Sequence, residues 1–456
     1  MERNMEGKGN FGEGKVWRHI ISQALPLTLA QLVQILYNLV DRIYIGHLPG
    51  DAQGLALTGV GVTFPVITLI AAFTNLFASG GAPLCSMARG KKDDKRALEI
   101  MGCTLFMQIL VGIIVGVTAF LTMKPLLYLL GASDATYPYA AGYLRIYLLG
   151  TVFLMVGTGM NLFINLQGFP KIGMMTTLLG AILNIILDPV FIFVFKMGVE
   201  GAAIATVISQ FVSAVWVISF LFGKKAVLRI SREYIKPRIL LIKDIVILGM
   251  AGFVMQATNC IVQAVCNASL GYYGGDVYIG IMTILNSVRE ILGLPVGGLA
   301  SGVQPVLSYN YGAGENKRVK EAIKFLSLVG SCYMLVVWLI IMLFPSFFIR
   351  LFSSDIQMVT YGNRVFMIYF GAFFMMQFQF IGQSTFTALG KSKQAIFFSI
   401  FRKVIIVLPL TLLLPGLGFG TDGVFIAEPV SNVIGGLACF ITMLVTVYRK
   451  LDYKPD

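Results

Sequence analysis

Twelve apolar blocks, most long enough to cross a bilayer, constrain this chain more than any other feature. They run at about 17–46, 54–88, 96–123, 137–167, 174–195, 201–222, 244–271, 277–310, 320–348, 358–389, 395–415 and 422–447. About 20 apolar residues rising 1.5 Å each span a hydrocarbon core. Several blocks are longer, so tilt, kinks or extension beyond the bilayer are expected. A soluble chain carries roughly 25% charged residues; this one carries 12%, with 57% hydrophobic residues and a mean hydropathy of +0.81. The apolar residues fill whole blocks rather than one helical stripe, so the solvent is lipid. The predicted fold class is an all-α integral membrane protein of twelve transmembrane helices.

The net charge of +13 raises nucleic acid as a partner. Its distribution argues against one. Of the 35 Lys and Arg residues, 28 fall in the N-terminus, 89–96, around Lys171, 224–243, 317–324, 391–403 and the C-terminus. These segments all lie on one side of an alternating path, which the positive-inside rule assigns to the cytoplasm together with both termini. The expected setting is a cell membrane crossed an even number of times. The six cysteines have no metal or disulfide spacing and read as small buried hydrophobes. Residues 1–14 are polar and the first block runs on too far for a cleavable leader.

Inside the fifth block stands Asn184-Ile-Ile-Leu-Asp188-Pro189. A carboxylate there costs about 2.5–3.5 kcal/mol on insertion scales. Asn184 and Asp188, at i and i+4, share one helix face. Pro189 removes a backbone donor and loosens the helix beside them. A polar pair next to a backbone weak point in a membrane helix reads as an ion or proton site; the plainer reading is a buried hydrogen bond between helices.

The chain also repeats, in one constant register that carries position 86 onto position 308. Ala78-Ser79-Gly80-Gly81-Ala82-Pro83-Leu84-Cys85-Ser86 answers Ala300-Ser301-Gly302-Val303-Gln304-Pro305-Val306-Leu307-Ser308. The same register relates Ile146-Tyr147 to Ile368-Tyr369, Gly168 to Gly390, Lys171 to Lys393, Gly201 to Gly423 and Ala205 to Ala427. Six helices per unit give two copies of one orientation, related by a pseudo-two-fold along the membrane normal, with a substrate cavity between them. The expected organisation is a cytoplasmic N-terminus (1–16), an N-lobe (17–222), a basic, solvated linker (223–243), a C-lobe (244–447) and a cytoplasmic C-terminus (448–456).

With these features the chain resembles the MATE (multidrug and toxic compound extrusion) family over essentially its whole length. The resemblance rests on Asn184 to Pro189, the following Gly201-Ala-Ala, the paired Gly-Pro segments closing blocks 2 and 8, and Tyr37-Asn38-Leu-Val-Asp41-Arg42. It implies a secondary antiporter, not an enzyme, that exports amphipathic, often cationic compounds in exchange for H⁺ or Na⁺. The pattern is most like the bacterial and archaeal branch with its cation site in the N-lobe. No cofactor and no metal other than Na⁺ at that site are expected, and the duplicated lobes make a monomer sufficient.

Depth along the helices permits such a site. Asp41 near the outer end of the first block, Asp188 in the outer half of the fifth and Thr206 near the outer start of the sixth fall about 10 Å inside the outer boundary. Asp41, Asn184, Asp188 and Thr206 are therefore the expected cation or proton ligands, the positions on which the family's N-lobe site falls. Tyr37, one turn before Asp41, is an accessory candidate. The repeat register carries these four ligand positions onto Gln263, Ile406, Leu410 and Glu428, so the second half lacks both carboxylates of the pair. Polar residues Gln256, Asn259, Gln263 and Asn267 in the seventh block, and Gln377, Gln379 and Gln383 in the tenth, stand where other MATE branches carry acids. The resemblance puts substrate near Gln34 and Asn161, with Gln256 and Arg289 as further cavity candidates. Arg289, Glu290 and Glu428 are the remaining intramembrane charges of interest. Arg42, His19 and His47 read as interfacial. Pro26 and Pro189 are candidate kinks, and Gly293, Gly297, Gly298 and Gly302 allow close packing or a hinge.

Two rivals remain. A lipid-linked oligosaccharide flippase of the same superfamily would want a basic cavity lining and two further helices. A membrane enzyme would want a metal cluster or a Ser/His or Cys/His pair. No Gly-rich Lys-Ser/Thr loop points to an ATP-driven pump.

Overall fold

The computed structural model describes residues 10–46, 53–352 and 356–452, and all of them are helix, turn or connecting loop, with no strand. His47 lies outside these residues, and the side chains of Asn38 and Arg42 are likewise not described. The first six spans are α1 (Val16–Gly46), α2 (Gln53–Gly90), α3 (Asp94–Leu121), α4 (Tyr137–Leu149 and Thr151–Leu166), α5 (Pro170–Val194) and α6 (Gly198–Phe222). The two pieces of α4 meet at 56°. The next are α7 (Ile239–Gly274), α8 (Asp276–Gly312), α9 (Asn316–Leu343) and α10 (Ile356–Phe370 and Met376–Ala388). The last apolar stretch, Ser392–Leu451, is 60 residues long, far more than one crossing needs. Gly418 and Gly420 break it with φ of 98° and 52°, a backbone that glycine adopts without strain. It thus forms α11, residues 392–419, and α12, residues 420–448, packed side by side.

The chain divides into two compact units, residues 25–249 and residues 11–24 with 250–456. The first part of α1 therefore packs with the second half of the chain, and the first part of α7 with the first half. Repeated glycines permit both arrangements. A Cβ on Gly80 of α2 would lie 2.0 Å from the Ile245 carbonyl oxygen of α7, and one on Gly249 only 1.6 Å from that of Leu76. In the second unit, a Cβ on Gly302 would lie 2.6 Å from the Ala24 nitrogen of α1. Gly302 is the repeat counterpart of Gly80, and Val246, next to Ile245, is that of Ala24. Helix backbones touch at both places because nothing larger than hydrogen intervenes.

Each crossing is clamped by a preceding segment. In the second unit Arg318 donates to the carbonyls of Phe11 at 2.8 Å and Gly14 at 2.9 Å. In the first unit the linker plays the corresponding part. The backbone N–H of Leu228 donates to Gln167 Oε1 at 2.8 Å, Arg238 pairs with Glu99 at 2.8 Å, and Leu228 and Ile230 are buried. Residues 223–238 thus keep their basic side chains exposed, as their charge suggests, while Leu228 and Ile230 anchor the segment to the first unit. On the outer surfaces, exposed apolar side chains such as Ile113, Val117 and Leu149 provide the face a hydrocarbon solvent requires.

Candidate functional site

In the first unit, three helices bring the expected ligands together. α1 carries Tyr37 and Asp41, α5 carries Asn184 and Asp188 one turn apart, and α6 carries Thr206. Asn184 Nδ2 donates to Asp188 Oδ1 and to Thr206 Oγ1, both at 3.2 Å. Asp41 lies beside Asp188, and Tyr37 and Tyr143 beside Thr206. Asp41, Asn184, Asp188 and Thr206 are all buried, Asp188 completely. Asn184 Oδ1 and Asp188 Oδ2 are buried without a hydrogen-bond partner among the described residues, and Asp188 makes no ion pair among them.

Local sequence explains the geometry of α5. Pro189 has no N–H to give the Ile185 carbonyl, and from Val190 to Val194 the helix widens to π geometry. Such widenings recur at functional sites. Two like charges 4 Å apart repel by about 4 kcal/mol at an effective dielectric of 20, so an acid pair in contact calls for a proton or a cation between its oxygens. Carboxylate, amide and hydroxyl oxygens are hard donors suited to Na⁺ as well as partners for H⁺.

Beside the acids lies a cavity of about 180 Å³, lined by Gln34, Tyr37, Asn161, Asn184, Thr206 and Gln210 among others. Asn184, Thr206 and Tyr37 belong both to this wall and to the acid cluster. Asn161 donates to the Gly173 carbonyl at 3.1 Å, while its Oδ1 is buried without a hydrogen-bond partner among the described residues. Gly180 and Ala181 leave room on the α5 side.

The second unit holds a different cluster. Glu428 of α12 accepts from Arg289 of α8 at 3.2 Å and, on α11, from Arg402 at 2.5 Å and Lys403 at 3.3 Å. Arg402 and Lys403 lie in another π stretch, Phe401–Val407. This corrects the charge assignment made from sequence, which counted both with the cytoplasmic segment 391–403. Their place about two turns inside the block that starts near 395 was the signal available. Arg289 and Glu428 line a cavity of about 150 Å³ with Asn259, Gln263, Asn286 and Lys403. Gln256 lines neither cavity. Gln377 and Gln383 serve as packing hydrogen-bonders, to the carbonyls of Leu326 and Ala395, each at 3.1 Å. His19 contacts the Glu13 carbonyl at 2.6 Å, and α1 continues as helix through Pro26. Among the described residues no three His, Cys, Asp or Glu side chains gather as a metal would require.

The fold is shared with solved structures. It matches the crystal structure of MATE in complex with MaL6 with a TM-score of 0.90 and 23% identity, covering 97% of this chain and 99% of that one. An outward-facing multidrug resistance MATE family transporter of the MOP superfamily matches with a TM-score of 0.89 and 22% identity over 98% and 99%. Multidrug export protein MepA of Staphylococcus saprophyticus is 25% identical over 444 residues, 97% of this chain and 96% of its own length. The protein of the same name from Staphylococcus haemolyticus is 26% identical over 437 residues, 94% of each. The MatE family model matches twice, over residues 26–190 and 251–413, once in each repeat. The chain, a multi-pass all-α membrane protein, therefore belongs to the MatE family of transporters.

Proposed function

We propose that this protein is a secondary antiporter that exports amphipathic, often cationic organic compounds across the plasma membrane of a prokaryote in exchange for H⁺ or Na⁺. The observation that carries this reading is the double role of Asn184 and Thr206, which hold the acid cluster and wall the neighbouring cavity. An ion arriving between Asp41 and Asp188 draws Asn184 and Thr206 toward new partners and so changes the shape and charge of the cavity. The compound and the ion then bind different conformations best, and each weakens the other by the same factor. Pro26, where α1 lacks one backbone hydrogen bond, supplies a place for that helix to bend. The name of the staphylococcal relatives, multidrug export protein, supports the substrate class. With both termini in the cytoplasm, the acid cluster lies toward the outside, where the driving ion is supplied.

Efflux of ethidium from proteoliposomes under a pH gradient and, separately, a Na⁺ gradient tests this. One gradient should drive transport by the wild type and fail with Asp41→Asn and Asp188→Asn, both still folded. Transport that persists in both variants would make the acid cluster structural. The flippase alternative gains some support from the inward-facing basic residues of the second unit, Arg289, Arg402 and Lys403. Their cavity of about 150 Å³ is small for an oligosaccharide headgroup, and failure of every cation to move would bring that reading forward.

A further inference from the structure

The second-unit cluster is unbalanced. Arg289, Arg402 and Lys403 bring three positive charges to the single carboxylate of Glu428. Among the described residues no second carboxylate lies in ion-pair contact with any of the three. Glu290, next in the chain to Arg289, is exposed. The cluster therefore carries two positive charges in excess of its carboxylate at buried and half-buried positions, which is costly unless an anion joins it. The donors also outnumber the acceptors: Arg402 Nε is buried with no hydrogen-bond partner among the described residues. The helices accommodate the arrangement rather than suffer it. A Cβ on Gly435 of α12 would stand 3.2 Å from Arg402 Cβ, so the glycine makes room for the arginine stem.

An opening adjoins the charges. The cavity of about 150 Å³ has Arg289, Lys403 and Glu428 in its wall, with Val262, Met282 and Val424 as apolar surface. Its amides form a fixed relay: Tyr369 Oη donates to Asn286 Oδ1 at 3.3 Å, and Asn286 Nδ2 to Gln263 Oε1 at 3.1 Å. Guanidinium groups grip planar oxyanions by two parallel N–H donors, while the apolar side suits a hydrocarbon body. We propose that this cavity binds the carboxylate of a small amphipathic organic acid or zwitterion, with Arg289 and Lys403 as its ligands and Glu428 as the internal carboxylate it competes with. The protein would then recognise anionic groups in one lobe and cations in the other. This does not depend on the antiport reading, since binding needs no gradient.

The test is equilibrium binding of radiolabelled benzoate to the full chain in nonionic detergent at constant ionic strength. Saturable binding is expected, displaced by unlabelled benzoate but not by benzamide, its neutral analogue, nor by inorganic phosphate, which lacks the hydrocarbon. Arg289→Gln, at a partly exposed position, should weaken binding about tenfold, the loss expected for one charge-assisted hydrogen bond. Glu428→Gln, which removes the competing carboxylate, should strengthen it severalfold. Absence of saturable binding overturns the proposal, as does displacement by benzamide or phosphate as strong as by benzoate. Unchanged affinity in a folded Arg289→Gln overturns it too. If neither variant folds, the wild-type competition series decides.

Discussion

In the first lobe, positions 41, 184, 188 and 206 hold Asp, Asn, Asp and Thr; their counterparts in the second repeat are Gln263, Ile406, Leu410 and Glu428. On the cavity side the exchange runs the other way. Gly180 and Ala181 of the first lobe are answered by Arg402 and Lys403. Even the space is traded: a Cβ on Gly180 would meet Ser213 Oγ at 2.7 Å, whereas at the matching pair the arginine stands opposite Gly435. The glycines at the helix crossings, Gly80 and Gly302, are the same in both halves. Where Gly80 and Gly302 meet backbone only glycine fits, whereas many side chains fit a cavity wall; Gly249, answered by Leu27, shows that not every crossing position is kept. The repeat thus keeps this glycine pair, and the two lobes differ where a ligand would be met. One lobe gathers carboxyls, the other gathers cations.

That contrast can be broken by substitution. Asp188→Asn should have the largest effect, reducing gradient-driven ethidium efflux from proteoliposomes to the leak of empty vesicles. The matching test in the second lobe is Glu428→Gln, which leaves the buried Lys403 and the half-buried Arg289 and Arg402 without their carboxylate. Removing one member of a buried ion pair costs about 3–5 kcal/mol, so the thermal midpoint in detergent should fall sharply, and added benzoate should restore part of it. Gly80→Ala and Gly302→Ala test what the lobes share. Each puts a methyl into backbone and should destabilise by about 1–3 kcal/mol, read by the same melting curves; a large loss in only one lobe would break the symmetry of the crossings. The smallest effect is expected from Thr206→Val, which removes the acceptor at 3.2 Å from Asn184. One hydrogen bond of about 1 kcal/mol should show as a severalfold higher ion concentration for half-maximal efflux, with stability nearly unchanged.

Much of this was legible in the amino-acid order. Lipid allows only segments that satisfy their own backbone hydrogen bonds, so long apolar blocks translate directly into helices. Because a helix advances a fixed rise per residue, depth can be counted, and it puts Asp41, Asp188 and Thr206 at one level, with Asn184 one turn from Asp188 on the same face. The duplicated register marked the two halves. Chain order did not reveal which half residues 11–24 and 239–249 pack with, because a helix keeps the same sequence whichever neighbour it crosses. Nor did it reveal that the 223–238 segment is buried at Leu228 and Ile230. Arg402 and Lys403 were the sharpest miss. A basic pair near the start of an apolar block looks the same whether it snorkels to headgroups or turns inward, and only the tertiary arrangement that packs α12 on α11 and turns Arg289 of α8 toward them brings Arg289 and Glu428 to meet it. Sequence determined the class, the spans, the repeat and the family, since these follow from local spacing and from the solvent. The tertiary structure alone decided which buried charges face one another, because that depends on how helices far apart in the chain rotate and cross.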